Sequence, residues 1–112
     1  MYTVYQVPTD HYFDTETGQL TGGFNPMREI RNGDKDEQAL VKKNLAAYQA
    51  VANFYVDDLD AVFEASNCPH TREHFEGLTF RLRDMHSVSV GDLVKAPDGD
   101  FWLCASLGWA KL

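Results

Sequence analysis

The stretch His86-Ser-Val-Ser-Val-Gly-Asp-Leu-Val-Lys-Ala-Pro-Asp-Gly-Asp-Phe-Trp-Leu-Cys-Ala-Ser-Leu-Gly-Trp-Ala-Lys-Leu112 carries both tryptophans of the chain and its clearest hairpin signal. Ser87-Val88-Ser89-Val90 alternates polar and apolar residues, the period of a half-buried strand, and Gly91-Asp92 permits a sharp change of direction before Leu93-Val94-Lys95. Ala96-Pro97-Asp98-Gly99-Asp100 is a turn with a mechanism. Pro97 presets its dihedral, Asp98 bonds the backbone ahead of it, and Gly99 accepts a left-handed conformation without a Cβ clash. Phe101 to Ser106 therefore returns antiparallel to Leu93–Lys95, with Val94 facing Trp102 and Leu93 facing Leu103. Both faces of this ribbon carry large apolar groups and need cover, so Phe101, Trp102 and Leu103 are expected in the core, where truncating a buried aromatic costs about 3 to 5 kcal/mol. Trp109, beyond Gly108 and near the free end, is expected to be partly exposed.

With 112 residues, 44% of them hydrophobic, the chain is long enough for one domain and one core. No stretch approaches a membrane span, and Met1-Tyr-Thr-Val-Tyr-Gln lacks the features of a signal peptide, which gives a cytoplasmic protein as the expectation. Cys68 and Cys104 show no paired spacing and read as free thiols, Cys104 as a small hydrophobe in a core strand. Ten Lys and Arg against 17 Asp and Glu leave a formal charge of -7. That balance disfavours phosphate backbones and anionic lipid, so neither direct nucleic-acid binding nor membrane binding is expected.

Tyr2 to Val7, closed by Pro8, reads as an opening strand. From Thr9 to Asn32 the signals are turns, with Asp14–Gly18 as the tip of a small hairpin between Tyr12-Phe13 and Gln19-Leu20. A helix is predicted from about Lys35 to Val51, capped by Asp34 with Glu37 in a capping box and striped by Val41, Leu45, Tyr48 and Ala52. Asn53–Val56 reads as a strand. A second helix is predicted from Leu59 to Ser66, capped by Asp57 or Asp58, with Leu59, Val62 and Phe63 as its buried face, Phe63 sharing a core with Trp102. Leu78, Phe80 and Leu82 alternate with polar residues as a further strand. The fold class that results is α+β: a single small domain over 1–112, a mainly antiparallel sheet with two helices packed on it and a C-terminal β-hairpin. Its strands are placed near 2–7, 53–56, 78–83, 87–90, 93–95 and 101–106.

Three groups of residues are chemically suggestive. Asp57, Asp60 and Glu64 recur at three- and four-residue intervals and share one side of the second helix. Most carboxylates of the chain read as caps and solvated faces, but this trio has the form of an acidic interaction surface, with Trp109 added as an exposed aromatic. Cys68, His70 and His74 form a weak metal candidate, two histidines four apart plus a thiolate. A fourth ligand is missing nearby, so solvated or capping histidines are the preferred reading and no metal or other cofactor is expected. The same trio as nucleophile and base is disfavoured because Pro69 stiffens the cysteine away from a partner.

The order Leu59-Asp-Ala-Val-Phe-Glu-Ala-Ser-Asn67, His70, His74-Phe75-Glu-Gly77, Ser87-Val-Ser-Val-Gly-Asp-Leu-Val94 and Ser106-Leu-Gly-Trp109 resembles the YodL-like domain of Gram-positive bacteria, their phages and conjugative elements. The resemblance covers 59–112, with Tyr2 to Gln6 a weaker echo. It departs from the family pattern in the interposed Leu78 to Met85 and in Ala105, where an Asp is common. That family carries no assigned catalytic residues, so the resemblance implies context rather than mechanism: a non-enzymatic accessory protein of a phage or mobile element in the bacterial host cytoplasm. Such a protein acts by binding a host or element-encoded protein, a nucleic-acid-binding one being well suited to an acidic face, for instance as an inhibitor of a host defence or restriction system. Two alternatives stay open, a metal-assisted hydrolase using Cys68, His70 and His74, and a structural virion or assembly protein.

Overall fold

A computed structural model describes residues 1–31, 36–67, 78–83, 85–106 and 108–112, Arg31 by its backbone alone. Along the chain run β1 (Tyr2–Gln6), α1 (Thr9–Tyr12), β2 (Phe13–Asp14), β3 (Gln19–Leu20), α2 (Pro26–Arg31), α3 (Glu37–Lys43), a 3₁₀ turn (Leu45–Ala47), β4 (Gln49–Phe54), α4 (Leu59–Asn67), β5 (Thr79–Arg81), β6 (Leu93–Lys95), β7 (Phe101–Ala105) and β8 (Gly108–Lys111). Six strands form one antiparallel sheet in the order β5-β4-β1-β6-β7-β8, while β2 and β3 make a separate hairpin. The fold is therefore α+β in a single domain, as expected.

Successive residues of a strand point to opposite faces, and here each face has its own core. Val4, Ala52, Phe54 and Val94 pack with Val62 and Ala65 of α4 and with Val88. On the opposite face Leu93 and Leu103 pack with Ile30 of α2 and Val41 of α3. The sheet thus lies between α4 and the α2–α3 segment, with β1 at its centre. One irregularity interrupts this order: the register steps from Val4 opposite Ala52 to Tyr5 opposite Ala50, leaving Val51 as an extra residue.

The predicted hairpin is present in its predicted register, Leu93 opposite Leu103 and Val94 opposite Trp102. Gly99 turns it at φ 94°, and the Asp98 side chain accepts the Asp100 N–H at 2.9 Å. The small hairpin also stands, Phe13 opposite Leu20.

Other expectations are corrected. The helix expected to Val51 ends at Lys43, and Gln49–Phe54 is strand. The two alanines of Ala50-Val51-Ala52 favour helix, but pairing to β1 along the segment and to β5 from Ala52 onward outweighs that preference. Leu45, placed on the buried stripe, is exposed, and Ala52 belongs to the opposite core. Asp34 lies outside the described residues; the cap of α3 is Asp36, whose carboxylate accepts the Gln38 and Ala39 N–H groups. Ser87–Val90 is not a strand. Its backbone pairs with α4 instead: Val88 N donates to Ser66 Oγ at 2.6 Å, and Val88 O accepts from Asn67 Nδ2 at 2.9 Å. The alternation there reflects Val88 buried in the α4-side core and Val90, half-buried, packing against the opposite one. The strand 78–83 shortens to Thr79–Arg81, an edge strand on which Leu78, Phe80 and Leu82 all remain exposed. Phe63 is also exposed, at 41%, so it shares no core with Trp102; the inward stripe of α4 runs through Val62, Ala65 and Ser66.

Candidate functional site

Where β1 meets the C-terminal block, a buried polar cluster replaces apolar packing. Gln6 Nε2 donates to His86 O at 2.9 Å and to Asp92 Oδ2 at 3.0 Å, while Gln6 Oε1 accepts from His86 N at 3.2 Å. Asp92 Oδ2 also accepts the Ser89 N–H at 3.0 Å. Burial pushes the Asp92 carboxyl up to about 7, against the His86 ring, the Ser89 N–H and the Gln6 amide, which act to lower it. His86 Nδ1 lies 2.8 Å from the Ser87 carbonyl oxygen, which requires the proton on that nitrogen, and 3.9 Å from Asp92 Oδ2, beyond hydrogen-bond reach. The neighbouring Cys104 thiol is raised to about 11, by burial first and then by Asp92, so it is a protonated, inert group. These atoms tie the 86–92 segment to β1. The imidazole and the Asp92 carboxylate are therefore not hydrogen-bonded to one another.

Gly91 completes that junction. Its φ is 98°, and a Cβ there would lie 2.6 Å from Pro26 Cβ, so glycine is demanded both by conformation and by contact with α2. The Gly91 carbonyl accepts the Tyr48 hydroxyl at 2.5 Å, and burial followed by the Asp92 charge drives the Tyr48 ionisation far above its ordinary range.

A second constellation forms at the other end of the sheet, and it gathers residues singled out above. Asp58 caps α4, its Oδ1 accepting the Ala61 N–H at 2.7 Å, and the Tyr2 hydroxyl donates to the Asp57 carbonyl at 3.2 Å. The start of α4 is thereby held against the first residue of β1. Trp102 pairs with Lys111 and Cys104 with Trp109, so the two tryptophans fall on the same face, the α4 face that also carries Tyr2. Between them, the α4 start and the 96–100 turn, a groove of about 520 Å³ opens. Tyr2, Trp102 and Trp109 give it aromatic surface; Asp58, Asp60 and Asp98 give it three carboxylates.

Of the predicted binding residues, Asp60 and Trp109 line this one groove. Asp57, just before α4, and Glu64, in its second half, are exposed and do not line the groove. Trp102, expected in the core, is half-buried and lines the groove instead. Tyr2 and Asp98 were legible only as strand and turn residues; the missing signal was β8, whose pairing with β7 carries Trp109 alongside Trp102. Cys68, His70 and His74 lie outside the described residues. Among the described residues no group of three or more His, Cys, Asp or Glu side chains is placed to hold a metal, and no helix is long and apolar enough to cross a membrane.

Comparison with family models, with curated proteins and with solved structures finds no match to this chain in any of the three.

Proposed function

We propose that this chain is a non-enzymatic protein-binding module whose working surface is the acidic, aromatic end of α4. The observation that carries the reading is the meeting of Asp60 and Trp109, 49 residues apart in number, in one groove whose lining holds three carboxylates and no Lys or Arg. Exposed carboxylates at helical spacing repel by a few tenths of a kcal/mol per pair, so Asp60 and Glu64 are poor choices for stability alone. Glu64, toward the C-terminal end of α4, gains nothing from the helix dipole. A basic site on a partner, such as one that otherwise receives nucleic acid, would recover that cost. The setting in this reading is the bacterial cytoplasm, with the chain as an accessory protein of a phage or mobile element and a host defence or restriction protein as its target; that setting rests on the resemblance over 59–112.

The test uses immobilised parent chain and an Asp60→Lys, Glu64→Lys variant in bacterial host lysate. The expected result is a basic protein retained by the parent, released as salt rises and absent from the variant, with the variant's Tm unchanged or slightly higher. Identical retained proteins on both columns would sink the reading.

A further inference from the structure

Resting on that binding reading, we infer that the groove between Tyr2, Trp102 and Trp109 is a receptor for an arginine side chain presented by the partner protein. Three half-buried aromatic residues offer π surface in one concavity. The negative face of an aromatic ring attracts a cation, most strongly when the cation is partly desolvated. The rim supplies the matching charge. The Asp60 carboxylate accepts no hydrogen bond and makes no ion pair among the described residues. Asp58 engages Oδ1 with Ala61 N, and Asp98 engages Oδ1 with Asp100 N, so each keeps Oδ2 uncommitted among the described residues. Lys111, paired opposite Trp102 in the sheet, is held by Asp100 at 3.0 Å and does not line the groove.

The chemistry excludes other occupants in turn. An anionic ligand meets three carboxylates and no compensating cation. A purely apolar ligand would strip water from those carboxylates without replacing their hydrogen bonds, which is unfavourable. Between the two protein cations, a guanidinium suits the site better than an ammonium: it is planar, stacks on indole rings, is more weakly hydrated, and forks two N–H groups to a carboxylate. The cleft beside Gln6 and His86 is of similar size, about 530 Å³, but its lining includes both Arg83 and Asp10 and so favours neither sign. The walls of the aromatic groove are also fixed in advance, by the Asp58 cap, the Tyr2 bond to Asp57 and the Gly99 turn. Little ordering is left to oppose binding.

Because both tryptophans of the chain line the groove, tryptophan fluorescence, excited selectively over that of the five tyrosines, reports on this site. The probe is acetyl-Gly-Arg-Gly-Arg-Gly-amide titrated into the full chain, beside the same peptide with citrulline, a neutral isostere, at both arginine positions. The expected result is a saturable emission change with the arginine peptide and an affinity about tenfold lower or worse with citrulline. Asp60→Asn, at an exposed position, should keep the far-ultraviolet circular dichroism and weaken the arginine peptide by a similar factor, as should raising salt from about 50 to about 500 mM. Equal titrations by the two peptides, no saturable change with either, or parent-like affinity in Asp60→Asn would overturn the inference. The outcomes separate it from the broader reading. Failure here with a partner still lost from the charge-reversed column leaves the α4 face as the interface and removes only the arginine groove. Saturable arginine binding with no partner released leaves the groove and removes the proposed partner interaction.

Discussion

Gln6 Nε2 and Asp92 Oδ2 lie 3.0 Å apart across 86 residues of sequence, and each side chain is only 2% exposed. The amide carries no charge, so it solvates the carboxylate without neutralising it. His86 supplies the nearest ionisable ring, 3.9 Å away, while Tyr48 and Cys104, the other titratable groups under the influence of Asp92, are neutral at ordinary pH.

A pH dependence follows with a definite sign. The Asp92 pKa is raised from 3.8 to about 7, so between those values the folded chain holds a proton that the unfolded chain has lost. The contribution of this group to stability is therefore greatest below about pH 4 and is lost as pH rises toward about 7. The Asp92→Asn substitution removes the titration. Thermal melts at about pH 5 and about pH 8 should show a larger fall in Tm for the parent than for the variant; equal falls would mean that Asp92 is not protonated in the folded chain near pH 5.

Ser66→Ala tests the joint between α4 and the 86–90 segment. It deletes the hydroxyl that accepts the buried Val88 N–H at 2.6 Å. An orphaned buried donor costs about 1 to 3 kcal/mol, read as a lower urea midpoint at unchanged slope. A change under about 0.5 kcal/mol would show that water or a shifted backbone replaces the bond.

Adjacent residues on α4 should respond very differently. Val62 is fully buried, whereas Phe63 is 41% exposed. Val62→Ala should cost about 1.5 to 3 kcal/mol by urea unfolding. Phe63→Ala should cost well under the roughly 3 to 5 kcal/mol typical of a buried aromatic. A reversed order would place Phe63 in the core and turn α4 about its axis.

The sequence was most legible where local chemistry and pairing agree. Pro97, Asp98 and Gly99 dictate one turn, and the turn length sets Leu93 against Leu103. Tyr2 to Gln6 has the composition of a strand and a proline just beyond its end. It was least legible where a remote partner decides. Gln49–Ala52 becomes strand because β1 pairs along it and β5 joins from Ala52, and Val88 leaves the ladder because Ser66 and Asn67 receive its backbone. Neither partner is written in the segment itself. The same holds for the groove: Asp60 and Trp109 stood out singly, one by helical spacing and one by position, but only the β7–β8 pairing and the cap on α4 bring them to a common cavity. Pro26–Arg31, read among turns, is a helix whose Ile30 seals the second core.

The central place of β1 has a consequence for how the chain is made. Its first partner, β4, lies some fifty residues later, Thr3 bonding Asn53, and its second, β6, begins only at Leu93. Because β1 precedes both partners in the chain, it must stay unpaired on one side during synthesis until Leu93 has followed it. Contacts of such long sequence separation close slowly, because loop entropy is lost before the ladder forms. Vectorial synthesis gives this sheet no early folding unit built on its own centre, so the two-sided core around Val4 and Leu93 assembles late and nearly at once.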